Sequence, residues 1–96
     1  MTKWHWDPDK NLANKRKHGL TFETARLVFL DQMALSVPDP YRDEPRWRTI
    51  GMIGSQTVLV VHTEPALVGE GVEAGRIISA RKATRKERRY YEADQP

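Results

Sequence analysis

Arginine, lysine and tyrosine crowd the stretch from Arg76 to Glu92, where seven of 17 residues are Lys or Arg and two are Glu. Arg76, Arg81, Lys82 and Arg85 are donors of the kind that gather around phosphate. Lys86, Arg88 and Arg89 extend the run, and Tyr90 and Tyr91 close it. Two readings stay open. One is a solvated basic helix face. The other is an anion site at a strand-to-helix junction, where backbone N–H groups and Arg forks converge. Arg46 and Arg48 sit two residues apart around Trp47, so strand alternation puts both on one face. They either join those cations or pair with Asp43 or Glu44.

Three histidines are candidates for proton transfer. His62 follows the apolar run Val58–Val61 on the same face as Val58 and Val60, which favours a satisfied core histidine over a catalytic one. His18 stands beside Gly19 at the expected end of a helix, suited to capping as well as to catalysis. His5 reads as an edge residue. Of the two adjacent tyrosines, one should pack in the core, leaving the other to stack a base or bond a phosphate. A metal site has little support. There is no cysteine, no two histidines share i, i+4 spacing, and Asp39, Asp43 and Glu44 read as solvated loop acids. No cofactor motif is present, and no glycine-rich phosphate loop follows a strand.

These residues need a scaffold, and 96 residues suit one domain with one modest core. The charge is uneven along it. Residues 1–20 carry five Lys/Arg and two Asp, residues 21–75 carry four Arg and eight acids, and residues 76–96 carry seven Lys/Arg and three acids. Two basic ends meeting in space would form a face fit for a polyanion. No apolar run approaches the roughly 18 residues of a membrane span, and no signal core follows Met1, so a soluble, unprocessed, cytoplasmic protein is expected.

Thr2–Trp6 alternates and predicts a first strand with Trp4 and Trp6 inward. Asp7-Pro8 starts a helix that Gly19 ends, and with only Leu12 and Ala13 apolar it buries little. Thr21 caps a second helix whose stripe is Phe22, Ala25, Val28 and Phe29. Residues 33–37 predict a short strand, and 38–46 an acidic loop. Residues 47–53 and 57–64 predict a hairpin about Gly54-Ser55-Gln56, with Val58–Val61 in the central strand. Residues 65–75 predict a mobile loop, 76–80 the last strand, 81–83 a turn, and Thr84-x-x-Glu87 the capping box of a final helix. The sum is an α+β domain: a mainly antiparallel sheet, two N-terminal helices on one face, and a C-terminal helix.

Several blocks together resemble the BrnT toxins. They are Trp6-Asp7-Pro8-x-Lys10, Asn14, Lys17-His18-Gly19, Thr21-Phe22-Glu23-x-Ala25 and Val28-Phe29-x-Asp31. Later come Arg46-Trp47, Ile50-Gly51, Val60-Val61-x-Thr63, and Arg76 through Arg81 to Tyr91-Glu92. The resemblance implies a RelE-like fold and a small ribonuclease of a bacterial type II toxin–antitoxin system, which cuts RNA to arrest translation; the missing metal-ligand set makes cleavage without metal the expectation. It implies a BrnA-type antitoxin, a DNA-binding dimer, as partner. Metal-free RNA cleavage needs a base for the 2′-hydroxyl, an acid for the leaving oxygen and cations for the phosphorane. The catalytic candidates are then His18, Arg46, Arg48, His62, Arg76, Arg81, Lys82 and Tyr91. Lys10, Lys17, Arg85, Lys86, Arg88, Arg89 and Tyr90 are the candidates for holding RNA. A non-catalytic nucleic-acid-binding module on the same scaffold is the alternative.

Overall fold

The computed structural model describes residues 2–95 of the chain. In order it contains β1 (Thr2–His5), α1 (Pro8–His18), α2 (Phe22–Ala25), a 3₁₀ helix (Arg26–Leu30) and β2 (Leu35–Pro38). There follow β3 (Arg46–Ile53), β4 (Gln56–Thr63), β5 (Ala66–Gly69), β6 (Val72–Lys82) and α3 (Arg85–Ala93). The class is α+β, with a mixed sheet ordered β1-β6-β4-β3-β2 and β5 paired to β6. Only the β1–β6 pairing is parallel among the described strands.

Helix ends fall where the sequence signals put them. Asp7 accepts from the Asp9 N–H, Pro8 opens α1, and Gly19 closes it at φ 72° with its N–H on the Lys15 carbonyl. Thr84 and Glu87 form the reciprocal capping box of α3. The second helix differs from expectation: after one α turn it tightens into 3₁₀. Its stripe explains this. Phe22, Ala25 and Val28 are fully buried and spaced by three, a period that lines up on one side only near three residues per turn.

Alternation along β4 builds two cores. Val58 and Val60 join Phe22, Ala25, Val28, Ile77 and Ala80, with Trp4, Trp6 and Phe29 packed alongside. Leu59 points the other way and meets Ile50 and Tyr91. A continuously apolar strand is therefore covered on both sides, as a central strand must be.

Asn14 is buried on a helix that otherwise buries little. Parallel β1 pairs β6 only as far as Arg76, which leaves the same edge of β6 open farther along. There Asn14 donates to the Ala80 carbonyl at 2.8 Å and accepts the Ala80 N–H at 3.1 Å, taking the place of a neighbouring strand. It also donates to the Leu20 carbonyl at 2.8 Å.

The expected mobile loop over 65–75 is instead a hairpin, β5 and the start of β6, with Gly71 at φ 65° in the turn. Ala66-Leu67-Val68 and Val72-Glu73-Ala74 flank Glu70-Gly71, and glycine there serves a tight turn. Strand β6 consequently starts at Val72 rather than Arg76, and it runs through Arg81 and Lys82, which were expected in a turn. The first short strand of the meander lies at Leu35–Pro38, slightly later than expected.

Trp4 lies over Gly75, its register partner, and stacks on Phe29 with centroids 4.0 Å apart. A Cβ at Gly75 would fall 2.5 Å from the Trp4 ring, whereas one at Gly69 would meet nothing within 4 Å. Gly75→Ala should therefore lower unfolding free energy by about 1–3 kcal/mol, with Gly69→Ala nearly neutral. Asn14→Ala should cost about 2 kcal/mol or more, because it orphans both backbone groups of Ala80. Urea unfolding of the three variants measures this.

Candidate active site

Residues paired across neighbouring strands share a sheet face. Arg46 and Arg48 on β3 stand opposite Thr63 and Val61 of β4, and Arg81 on β6 stands opposite Leu59. Arg76 neighbours Gly75, which lies under Trp4 on the other side, so alternation sends Arg76 to this same face. Four arginines from two strands thus share the face that also carries the Ile50–Leu59–Tyr91 core, and Arg46 and Arg76 meet there through Glu44.

Each of the four holds a carboxylate. Glu44 receives Arg76 Nη2 at 2.7 Å and Arg46 Nε at 3.3 Å on a single oxygen, Oε1. Arg48 Nε donates to Asp39. The Arg46 guanidinium also lies 3.7 Å over the Tyr41 ring, a cation–π contact. Burial alone would raise the Glu44 pKa, but Arg76 and Arg46 outweigh it and hold the carboxyl below its ordinary value. The expected ion-pair alternative for Arg46 with Glu44 is what forms, while Arg48 chooses Asp39 rather than Asp43.

At the β6–α3 junction the anion is internal. Arg81 grips Glu87 with both arms, Nη1 to Oε1 at 2.7 Å and Nη2 to Oε2 at 3.0 Å. Glu87 also accepts the Thr84 N–H at 2.8 Å. Arg81 and then the capping bonds pull the Glu87 pKa down to about 2. Arg81 is thereby an ion-pair partner of the helix it precedes. Lys82 is exposed and pairs in register with Val58, on the face away from the arginines.

His62 is on that other face as well. Its ring is buried, edge-on to both Trp4 and Phe29 at 5.0 and 4.9 Å. Nδ1 lies 2.8 Å from the Thr63 carbonyl, which only accepts, so Nδ1 carries the hydrogen. Nε2 lies 2.6 Å from Thr49 Oγ1, which lies 2.8 Å from Ser36 Oγ. Burial pushes the His62 pKa down, against smaller opposing effects of the Thr63 carbonyl and Glu64. A neutral, fully bonded core histidine results, and the sheet separates it from the arginines. Trp4, Phe29, Ser36, Trp47 and His62 line a groove of about 880 Å³ on that side, whose cations are Lys3 and Arg26.

A family model described as "Ribonuclease toxin, BrnT, of type II toxin-antitoxin system" matches residues 6–87. The chain belongs to this family. No curated protein matches it closely enough to count. Membership in the BrnT family brings with it ribonuclease activity, an RNA target and an antitoxin partner. Among the described residues, no helix is long and apolar enough to cross a membrane, and no three His, Asp or Glu side chains gather as a metal site.

Against that activity the remaining candidates sort by position. Lys10 and Lys17 are exposed on α1, and Arg85, Lys86, Arg88, Arg89 and Tyr90 are exposed on α3. His18 ends α1 half-buried, and its side chain makes no ion pair or hydrogen bond among the described residues. Tyr91 is the packed tyrosine, and its hydroxyl donates to Asp31 Oδ2 at 2.6 Å rather than facing solvent. Asp31 also accepts the N–H of Met52 at 2.8 Å and of Met33 at 2.9 Å. Asp39 and Glu44, expected as solvated loop acids, instead hold arginines, and Asp31 holds Tyr91; an acid near a helix end or in a proline-rich loop carries no sign of its distant partner. His5 reads from the sequence as an edge residue. It is exposed on edge strand β1, yet it is the register partner of Arg76.

The Asp31–Tyr91 and Arg81–Glu87 contacts make α3 docking pH-dependent. Burial would raise the Asp31 pKa, but the Tyr91 hydroxyl and two N–H groups outweigh it and lower the value. Glu87 likewise falls from 4.5 to about 2. Depressed carboxyls contribute fully above their unfolded values, and the contribution is lost as pH falls through the folded ones. Tyr91 is raised by Asp31 and by burial to about 12, so its contribution is present below 10.0 and lost as pH rises through about 12. Tyr91→Phe should cost about 1.5–3 kcal/mol at neutral pH. Glu87→Gln should flatten the acid limb of stability, read by thermal melts followed by circular dichroism.

Proposed function

We infer that the face bearing Arg46, Arg48, Arg76 and Arg81 is the active site of a metal-independent endoribonuclease that arrests translation. The observation that carries this reading is that four arginines share one sheet face, each already holding a carboxylate, with Arg46 and Arg76 on the same one. A guanidinium that binds a carboxylate binds a phosphodiester by the same fork, and fixed cations best stabilise a phosphorane when they are in place beforehand. Arg46, Arg48 and Arg76 grip the scissile phosphate, while Arg81 keeps α3 seated. The exposed basic side of α3 (Arg85, Lys86, Arg88, Arg89 and Tyr90) tracks the flanking strand, with Lys10 and Lys17 adding charge from α1. The attacking group is the RNA's own 2′-hydroxyl.

The fold in this reading is RelE-like, one domain over residues 1–96, with both N-terminal helices on one face. The protein acts in the cytoplasm under a BrnA-type antitoxin, a DNA-binding dimer that covers α3 and the basic face. Cleavage should survive EDTA and leave 2′,3′-cyclic phosphate ends, and a 2′-deoxy sugar at the cut should block it. Products with 5′-phosphate ends, or activity restored only by magnesium, would sink the mechanism. Arg76→Ala should lower cleavage by about 100-fold or more with the fold intact. Binding with RNA left whole would point instead to a module that holds RNA without cutting it.

A further inference from the structure

Transfer through a 2′-hydroxyl needs one group to take a proton and another to give one. The histidine with the most developed hydrogen-bond network, His62, lies across the sheet from the arginines. The arginine face holds a different pair. Glu44 stands between Arg46 and Arg76, bonded to both through Oε1, while Oε2 has no hydrogen-bond partner among the described residues. Its side chain is about one-third exposed, at 34%. Beyond Arg76, on the next strand, the exposed His5 is the register partner of that arginine. We propose that Glu44 and His5 are the acid–base pair of RNA cleavage, flanking a phosphate seated on Arg76. This rests on the arginine face being the active site.

The other acids are less suited. Both oxygens of Glu87 are occupied by Arg81 and one also by the Thr84 N–H. Asp39, at 10% side-chain exposure, is shielded against Arg48. Glu44 is held in place, because the Tyr41 ring braces Arg46 and Arg46 braces Glu44. A guanidinium has five N–H donors, so Arg76 can keep Glu44 on Nη2 and offer the rest of its fork to phosphate. The charged groups facing Glu44 are Arg46 on β3 and Arg76 on β6. Both keep it ionised, so Oε2 carries the lone pairs of a carboxylate.

The step balances without a co-reactant. Glu44 Oε2 takes the 2′-hydroxyl proton, O2′ bonds to phosphorus, the P–O5′ bond breaks, and His5 in its protonated form gives the leaving O5′ its proton. The products are a 2′,3′-cyclic phosphate and a 5′-hydroxyl. Exchange with water returns the proton from Glu44 to His5.

The test compares Glu44→Gln, His5→Gln, Arg46→Ala and Arg76→Ala on one RNA. Binding is measured in parallel with an all-2′-deoxy oligonucleotide of the same sequence, which cannot react. The proposal expects kcat to fall about 100-fold or more in both glutamine variants. Binding of the deoxy oligonucleotide should stay within about threefold or tighten for Glu44→Gln, which removes a negative charge. Glu44→Asp should recover part of the rate. Cleavage within about threefold of the parent chain in either glutamine variant overturns the pair. A loss that merely tracks lost binding also overturns it, leaving Glu44 or His5 as a positioning residue. If the arginine variants cleave normally, the site reading itself fails; if they lose cleavage while the glutamine variants keep it, only the acid–base assignment fails.

Discussion

One carboxylate, Asp31, ties the N-terminal half of the chain to its last helix. It ends the 3₁₀ helix and accepts from the N–H groups of Met33 and Met52 and from the Tyr91 hydroxyl. A nine-residue helix with three non-polar side chains does not persist alone in water. The buried Tyr91 ring, together with this charge-assisted bond, gives it a fixed seat. The same contact explains Gly51, where a Cβ would meet Val28 at 2.9 Å and Asp31 at 3.1 Å. Close approach of the acid to β3 thus needs a residue without a side chain.

Seating α3 has a consequence for charge. With α3 in place, Glu87 reaches Arg81, and the acidic loop before β3 brings Asp39 and Glu44 to Arg48, Arg46 and Arg76. The acidic middle of the chain is therefore not a solvated spacer. Asp39 and Glu44 from it neutralise arginines that share one face on either side of β4. The partly exposed pairs of Arg46, Arg48 and Arg76 contribute little net stability. Their larger effect is orientation, since a guanidinium held by a carboxylate already points its remaining donors in one direction.

The sheet divides the molecule's polar chemistry. Thr49 and His62 form a buried chain with Ser36 on the aromatic side, walled by Trp4 and Phe29, with every side-chain polar atom satisfied. A fully satisfied network of this sort specifies one packing arrangement. On the far side, cations and carboxylates stay partly open to solvent, where exchange with an incoming anion is feasible.

Local chemistry was legible in the sequence wherever the interaction spans a few residues. Asp7-Pro8, Thr21 and the Thr84–Glu87 box marked helix starts, Gly19 marked a stop, and the Val58–Val61 run marked the central strand. Each depends on backbone groups within about one turn or on strand alternation. The blocks from Trp6 to Glu87 also carried the family. Tertiary structure decided which elements meet. Nothing local says that β1 runs parallel to β6, that Asn14 substitutes for a strand beside Ala80, or that β5 forms where glycines suggested a loop. The candidate site was half legible for the same reason. Arg46, Arg48, Arg76 and Arg81 stood out by type, but their shared face, His62's exclusion from it, and the approach of Glu44 and His5 to Arg76 all depend on strand order. Pairing between strands is a long-range choice, set by which apolar faces bury together, and single-residue chemistry does not reveal it.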